Sequence, residues 1–141
     1  MKRIEYLIKL SREHHISLVL AKRCVDVATG QDQQEIKILC ASIVEEFPET
    51  WEKHFLTEEQ SVLPVVMQFY PDLQELCHSL TDEHQQMRKM YEQMKEGDTT
   101  ILKQFGELLR AHTRKEEREL FPNINTPLFV EQATTLLSNK P

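Results

Sequence analysis

Residues 54–64 read HFLTEEQSVLP and residues 112–122 read HTRKEERELFP, so the pattern H-x-x-x-E-E-x-x-[VL]-[LF]-P occurs twice, 58 positions apart. A His and a Glu four residues apart project from the same face of an α-helix. In both stretches this pair continues a stripe of apolar residues at steps of three and four. We therefore predict that each stretch lies in a helix and that each helix presents one His and one Glu inward.

The rest of the chain divides into segments of the same kind. Turn and breaker residues cluster at residues 30–33, 70–72, 97–98 and 122–127. Between these breaks the apolar residues recur at the spacing of one helix face. The sequence therefore predicts an all-α fold, an antiparallel up-down four-helix bundle with a short C-terminal helix.

The second helical segment lies between the breaks at residues 30–33 and 70–72. Two prolines in it, and the position of its histidine along the bundle axis, complicate the prediction. Pro48 falls inside its apolar stripe, where a proline is expected to kink the helix or to begin a new one, and Pro64 raises the same expectation for the last turn. Counting 1.5 Å per residue from the first turn places His14 and His54 about 12 Å apart in height. A polar loop through residues 31–35, or a distortion at Pro48, has to absorb this difference.

Length and composition limit the remaining classes of protein. The chain has 141 residues with only 3 Gly, and 17 Lys+Arg against 23 Asp+Glu give a net charge of −6. We expect one domain over residues 1–141, large enough to fold around a core without a metal. Glycine is too rare for a β-sandwich or for a nucleotide-binding α/β fold. Without a block of Lys or Arg, neither nucleic acid nor an anionic membrane is an expected partner.

Cysteine usage and hydropathy indicate the compartment. Cys24, Cys40 and Cys77 are odd in number and lack the C-x-x-C spacing, which is typical of free thiols in a reducing environment. Glu5 and Lys9 interrupt the N-terminal apolar run before it reaches the length of a signal peptide. No stretch approaches the ~18 apolar residues of a membrane span. We therefore predict a cytoplasmic protein and make no prediction of its oligomeric state.

Two further histidines complete a candidate metal site. Glu13-His14 and Glu83-His84 form a matching pair, with each His inside the apolar stripe of its own helix. A lone inward His, or a single His–Glu pair, is more often a core residue or a solvated pair. Burying four His and two Glu together without metal, however, costs several kcal/mol per charged group, and these stripes carry no Lys or Arg. The predicted metal ligands are His14, His54, Glu58, His84, His112 and Glu116.

Four imidazoles and two carboxylates divide evenly between two metal ions. Each ion would take two His, and both Glu could bridge the pair. With an oxo or hydroxo bridge from solvent, each ion is about five-coordinate and keeps a position open to a small ligand. Nitrogen and oxygen ligands without thiolate favour iron or manganese over a structural zinc site.

On these residues the sequence resembles the hemerythrin-like, HHE cation-binding family over essentially the whole chain. The resemblance implies an antiparallel four-helix bundle around two non-haem iron ions (Fe2+/Fe3+) with an oxo or hydroxo bridge, and it assigns iron ligation to the six residues above. Manganese and zinc remain alternatives. The motifs that carry the resemblance are Glu13-His14, His54-x-x-x-Glu58-Glu59 with Leu63-Pro64, Glu83-His84, and His112-x-x-x-Glu116-Glu117 with Leu120-Phe121-Pro122.

Two positions depart from the oxygen-carrying members of that family. Those proteins have another His four residues after the third-helix His, and this chain has Arg88 at that position. They also have an Asp five residues after the last His, whereas this chain has Glu116 four residues after it. Arg88 either points to solvent or leaves both metals open. The ligand set is similar instead to that of di-iron proteins that repair nitrosatively damaged iron–sulfur centres.

Three functions therefore stay open. The first is a di-iron protein that binds or reacts with a small ligand, O2, NO or peroxide, in sensing, detoxification or iron handling, with turnover as its enzymatic form. The second is repair of iron–sulfur centres or donation of iron. The third is a helical interaction module without metal.

The remaining candidate residues take weaker assignments. His15 lies off the apolar stripe and is the alternative to His14, while the helical phase of His78 predicts an exposed side chain. Glu59 and Glu117 follow the two ligand Glu residues, and either orient neighbouring imidazoles or lie in solvent.

Overall fold

The structure, a computed structural model, describes residues 5–138, so the first four and last three residues of the predicted domain lie outside it. All regular elements within this range are helical, which confirms the all-α prediction. The α-helices are α1 (Glu5–Gly30), α2 (Gln33–Glu46), α3 (Lys53–Thr57), α4 (Leu63–Phe69), α5 (Gln74–Lys95), α6 (Leu102–Lys115), α7 (Phe121–Ile124) and α8 (Pro127–Ser138). Joining segments are the π-helical turns Pro48–Glu52, Glu58–Val62 and Glu116–Leu120, and the 3-10 turn Pro71–Leu73.

The first turn is tighter than the sequence predicts. Helix α1 ends at Gly30 and α2 begins at Gln33, so a loop through residues 31–35 does not form. The reason is the cap at Asp32, whose carboxylate accepts the backbone N–H groups of the two residues that follow Gln33. Such a cap satisfies donors that the first helical turn leaves unpaired.

The distortion expected at Pro48 is present as a π-helical turn. Proline has no N–H to donate, and its ring clashes with the carbonyl four residues back in a regular α-helix. Here the N–H of Glu52 donates to the carbonyl of Phe47, five residues back, at 2.9 Å. The chain thus stays helical from α2 into α3 through the proline.

The two copies of the sequence pattern each contain one π-helical turn. Glu58–Val62 ends two residues before Pro64, and Glu116–Leu120 ends two residues before Pro122. In both cases the residue after the turn donates its N–H to the carbonyl of the glutamate that opens it, five residues back. The wider turn lets the helix continue into the proline, and such turns are frequent at functional sites.

The core consists of two apolar clusters. One includes Phe47, Phe55 and Phe105, and the other includes Leu80 and Leu120. Helix α6 packs along α1, and α5 contacts α2, α4 and α6, while α8 lies against α4. On α1 and α5, residues of the two clusters lie on opposite sides of the predicted metal ligand.

The three cysteines are free, as predicted, and all of them are buried. Within residues 5–138, none of the helices has both the length and the apolar character needed to cross a membrane.

Candidate metal centre

The structure brings all six predicted ligands into one buried place. They come from four parts of the chain: α1, α3 with the π-helical turn that follows it, α5, and α6 with its own following turn. Each is no more than 4% exposed. The residues are His14, His54, Glu58, His84, His112 and Glu116.

The centre has two halves that share both carboxylates. Within each half, one ligand atom from each of two histidines and two glutamates lies within 4.8 Å of the others, and the four could hold a metal ion. We name the halves by their histidines, the His14/His54 half and the His84/His112 half. Each half thus contains two histidines, and both glutamates are common to the two halves.

Three of the four imidazoles are hydrogen-bonded to a carboxylate on their outer side. An ionised carboxylate only accepts, so the imidazole Nδ1 must carry the hydrogen, and the neutral ring then presents the lone pair of Nε2 to the centre. The pairs are His54 with Glu13 at 3.1 Å, His84 with Glu59 at 2.7 Å, and His112 with Glu83 at 2.8 Å.

The imidazole Nε2 atoms and the carboxylate oxygens that point into the centre are hydrogen-bond acceptors when the rings are neutral and the carboxylates ionised, and they face one another. His84 Nε2 lies 3.0 Å from Glu58 Oε1, and His14 Nε2 lies 3.2 Å from Glu116 Oε1. Nε2 of His14 and His112, Oε2 of Glu58 and both carboxylate oxygens of Glu116 are buried without a hydrogen-bond partner. Buried lone pairs that face each other require protons or cations between them. The donor set therefore fits metal ions.

A family model described as the hemerythrin HHE cation-binding domain matches residues 7–124. All six candidate ligands fall inside this range. The chain belongs to the hemerythrin HHE cation-binding family. No curated protein and no solved structure matches it. The match ends before α8, so this helix, which contributes Phe129 to the apolar cluster against α4, lies outside the matched residues.

Without metal, this hemerythrin domain balances its buried charge with protons. Burial and the neighbouring Glu116 carboxylate raise the pKa of Glu58 well above its usual value. Burial lowers the pKa of His112, but Glu116 and Glu83 outweigh burial and raise it to about 9. At neutral pH His112 therefore holds a proton, and the raised pKa of Glu58 favours its protonated form. Metal binding has to displace any such proton, because only deprotonated ligands coordinate.

The sequence did not assign a role to Glu13 and Glu83, although it marked the Glu-His dipeptides that contain them. In each dipeptide the Glu is hydrogen-bonded to a histidine of another helix and not to the histidine next to it in the sequence. Successive residues of a helix point about 100° apart, so the two side chains of a dipeptide cannot face the same way. The repeated Glu was the available signal, and the packing of the helices decides which imidazole it meets.

The weaker candidates separate clearly. His15 is exposed on α1 while His14 lies in the centre, as the helical phase predicts, and His78 is exposed as well. Glu59 is hydrogen-bonded to an imidazole, whereas Glu117 is exposed. The two glutamates that follow the ligand Glu residues thus have different environments.

Of the two alternatives that the sequence left for Arg88, the structure excludes the one in which its side chain points to solvent. Its side chain is only 19% exposed, and its Nε lies 2.6 and 2.8 Å from the two carboxylate oxygens of Glu52. The two remaining guanidinium nitrogens donate to Glu59 at 3.0 and 3.1 Å. The guanidinium also lies over the ring of Phe55, 5.6 Å from its centroid, and Phe55 stacks on His84 with centroids 4.2 Å apart.

Proposed function

We propose that this hemerythrin-family chain is a non-haem di-iron protein that binds or reacts with O2, NO or peroxide in sensing, detoxification or iron handling. One observation carries the proposal: two groups of four buried ligand atoms share both carboxylates, and five buried nitrogen and oxygen atoms of these residues have no hydrogen-bond partner. Bound iron would supply redox chemistry and a coordination position for a small ligand.

The proposed ligand roles follow from position along the chain. His54 and Glu58, and likewise His112 and Glu116, are four residues apart and project from one helical face, so each pair can chelate. The two glutamates are common to both halves and would bridge the ions. Glu13, Glu59 and Glu83 hold the histidine tautomers and ring orientations from outside the ligand shell.

We further propose that the long helical segments pack as an antiparallel up-down four-helix bundle within a single domain. The segments are α1, α2 to α4, α5, and α6 to α7, with α8 as the short C-terminal helix. The contacts of α1 with α6, of α2 with α5 and of α5 with α6 support this arrangement. The apolar clusters on both sides of the centre would exclude bulk water and admit only small ligands.

A cytoplasmic location agrees with the free, buried cysteines. Cys24, Cys40 and Cys77 form no disulfide, and burial raises the pKa of Cys24 to about 12 and that of Cys77 to about 11. Such thiols are unreactive packing groups. Their use is typical of proteins in a reducing compartment.

Metal analysis and an optical spectrum of the aerobically purified protein test the proposal. We expect about two irons per chain, together with near-ultraviolet bands of oxo-to-iron charge transfer. Two ions of manganese or zinc would retain the metal centre and contradict the di-iron assignment. A chain that folds stably and binds none of these metals would contradict the whole proposal and favour a metal-free interaction module.

Iron donation or iron–sulfur repair is the second candidate function. The observation that favours it is Arg88, which occupies the place of the additional histidine of the oxygen carriers and is held in ion pairs outside the ligand set. Transfer of iron from the loaded protein to an apo iron–sulfur acceptor, faster than transfer from a free iron chelate, would support this candidate. Rapid turnover of peroxide or NO without loss of iron would support the first.

A further inference from the structure

We infer that the two halves of the proposed centre hold metal unequally, and that the His84/His112 half binds first and releases last. Arg88 is the positioning residue that makes the difference. The inference rests on the proposed function in one respect, namely that the six residues hold two ions.

In the His84/His112 half, both imidazoles have an outer carboxylate, and each carboxylate is held by a cation. Glu59 lies 2.7 Å from His84 Nδ1 and receives two hydrogen bonds from Arg88. Glu83 lies 2.8 Å from Nδ1 of the other histidine and receives a 2.7 Å hydrogen bond from Lys115. Both outer hydrogen bonds are therefore short and fixed from behind.

The His14/His54 half is less well supported. Glu13 lies 3.1 Å from His54 Nδ1, and no Lys or Arg among residues 7–137 pairs with its carboxylate. His14 has no outer carboxylate within that part of the chain, and its ring contacts Phe121 with centroids 4.6 Å apart. Within residues 7–137, one imidazole is thus paired with a carboxylate that no Lys or Arg holds, and the other has no outer carboxylate.

The sequence pattern itself differs between the halves. Positions 58 residues apart correspond in the two copies of the repeat. The positions four residues after His14 and His84 correspond to each other in the same way. Glu83 and Glu13 correspond and both are hydrogen-bonded to an imidazole, but three other residues that build the support in the His84/His112 half have counterparts that do not do so in the other half. The pairs are Glu59 with the exposed Glu117, Lys115 with Thr57, and Arg88 with Leu18.

Outer hydrogen bonds fix the tautomer and orientation of a ligating imidazole, and their loss typically lowers metal affinity by about 10–100-fold. Arg88 acts on His84 in two ways. Its planar fork holds Glu59 through two nitrogens at the edge of the imidazole. It also lies over Phe55, which stacks on the face of His84. His84 is therefore oriented before a metal arrives.

Zinc titration of the apoprotein against a competing chelator tests the inference. Two unequal steps in the wild type are not sufficient, because two adjacent cations repel each other even at identical sites. The decisive comparison is between His14→Ala, which leaves the His84/His112 half, and His84→Ala, which leaves the His14/His54 half. We expect the ion in His14→Ala to bind about 10–100-fold more tightly. Equal affinities for one ion in both variants would overturn the inference and leave the proposed function standing.

The role of Arg88 is tested in the same two backgrounds. Arg88→Met should weaken zinc binding by about 10–100-fold in His14→Ala and by less than about twofold in His84→Ala. Arg88→Lys should restore part of the loss, because lysine keeps the charge without the fork. Lys22→Met is the control, since it removes a cation from an exposed ion pair with Asp26. Equal weakening by Arg88→Met in both backgrounds, with an unchanged circular dichroism spectrum, would overturn this role. A wild type that binds no zinc, iron or manganese would overturn the inference together with the proposed function.

Discussion

At the scale of single residues, the hydrogen bond at one ring nitrogen decides what the other nitrogen can do. The pairs Glu13–His54 and Glu83–His112 each place a carboxylate at Nδ1. A neutral imidazole held in this way can only accept at Nε2. In the neutral form of each ring, the outer glutamate thus leaves a lone pair at Nε2 that a metal ion could accept, and it does so from a different helix in each case.

The histidines of the two repeats are expected to carry the metal. His54→Ala or His112→Ala should each lose about one of the two ions per chain, because each substitution removes a nitrogen ligand from one half. His78→Ala is the matched control on an exposed position of α5 and should keep the full metal content. Metal analysis after identical reconstitution measures this, and equal losses in all three variants would contradict the ligand assignment.

His14 and its neighbour His15 offer a sharper comparison. His14 is 2% exposed and lies beside Glu116, while His15 is exposed on the same helix. We expect His14→Ala to lower the metal content and His15→Ala to leave it unchanged, as measured by the same metal analysis. Retention of both ions in His14→Ala with loss in His15→Ala would show that the helical phase assignment is wrong.

At the scale of elements, the π-helical turns position the shared carboxylates. Each of Glu58–Val62 and Glu116–Leu120 begins at a candidate ligand and ends two residues before a proline. In a regular α-helix the proline ring clashes with the carbonyl four residues back, and the wider turn relieves this clash. Both copies of the repeat therefore specify a helix distortion. It begins at the glutamate, Glu58 or Glu116, that both halves of the centre share.

Helices α1 and α6 approach each other closely at Gly106. A Cβ at this position would lie 2.6 Å from the Cβ of Cys24 and 2.8 Å from the carbonyl oxygen of Ala21. Because one of these atoms belongs to the backbone of α1, Gly106→Ala has to push α6 away. We expect it to lower the free energy of unfolding by about 1–3 kcal/mol, measured by urea denaturation of the apoprotein.

Gly30→Ala is the control for this substitution. A Cβ at Gly30 would meet no atom within 4 Å, and the residue ends the same helix α1. Its effect on stability should remain within about 0.5 kcal/mol. Comparable losses in the two variants would mean that the α1–α6 contact is not the cause.

At the scale of the whole molecule, the buried charge makes the stability of the apoprotein depend on pH. The pKa of His112 is about 9 in the folded chain against an ordinary value of 6.5, because two carboxylates outweigh the effect of burial. A raised pKa contributes stability that is fully present below pH 6.5 and is lost as pH rises through about 9. The raised pKa of Glu58 acts in the same direction.

We therefore expect the melting temperature of the apoprotein to fall between pH 6.5 and about 9. In the zinc-loaded protein, metal replaces the protons, so its melting temperature should not fall over this range. Thermal denaturation followed by circular dichroism measures both. A melting temperature of the apoprotein that rises with pH would contradict the proton assignment at His112 and Glu58.

Local sequence determined the helical class, the breaks between segments and the six residues that now lie together. Helical periodicity and the i, i+4 spacing of His and Glu are properties of one segment, so they can be read without knowing its neighbours. The choice of His14 over His15 followed from phase alone. That these residues ligate two irons stays a prediction.

Only the tertiary structure decided which carboxylate meets which imidazole and where Arg88 lies. Glu13 and Glu83 reach histidines on other helices, and Arg88 joins Glu52 and Glu59 across the packed segments. These pairings connect residues 29 to 41 positions apart. They depend on the rotation of neighbouring helices and on side-chain rotamers, neither of which is a local property of the sequence. The inequality of the two halves therefore emerges only when the helices are packed.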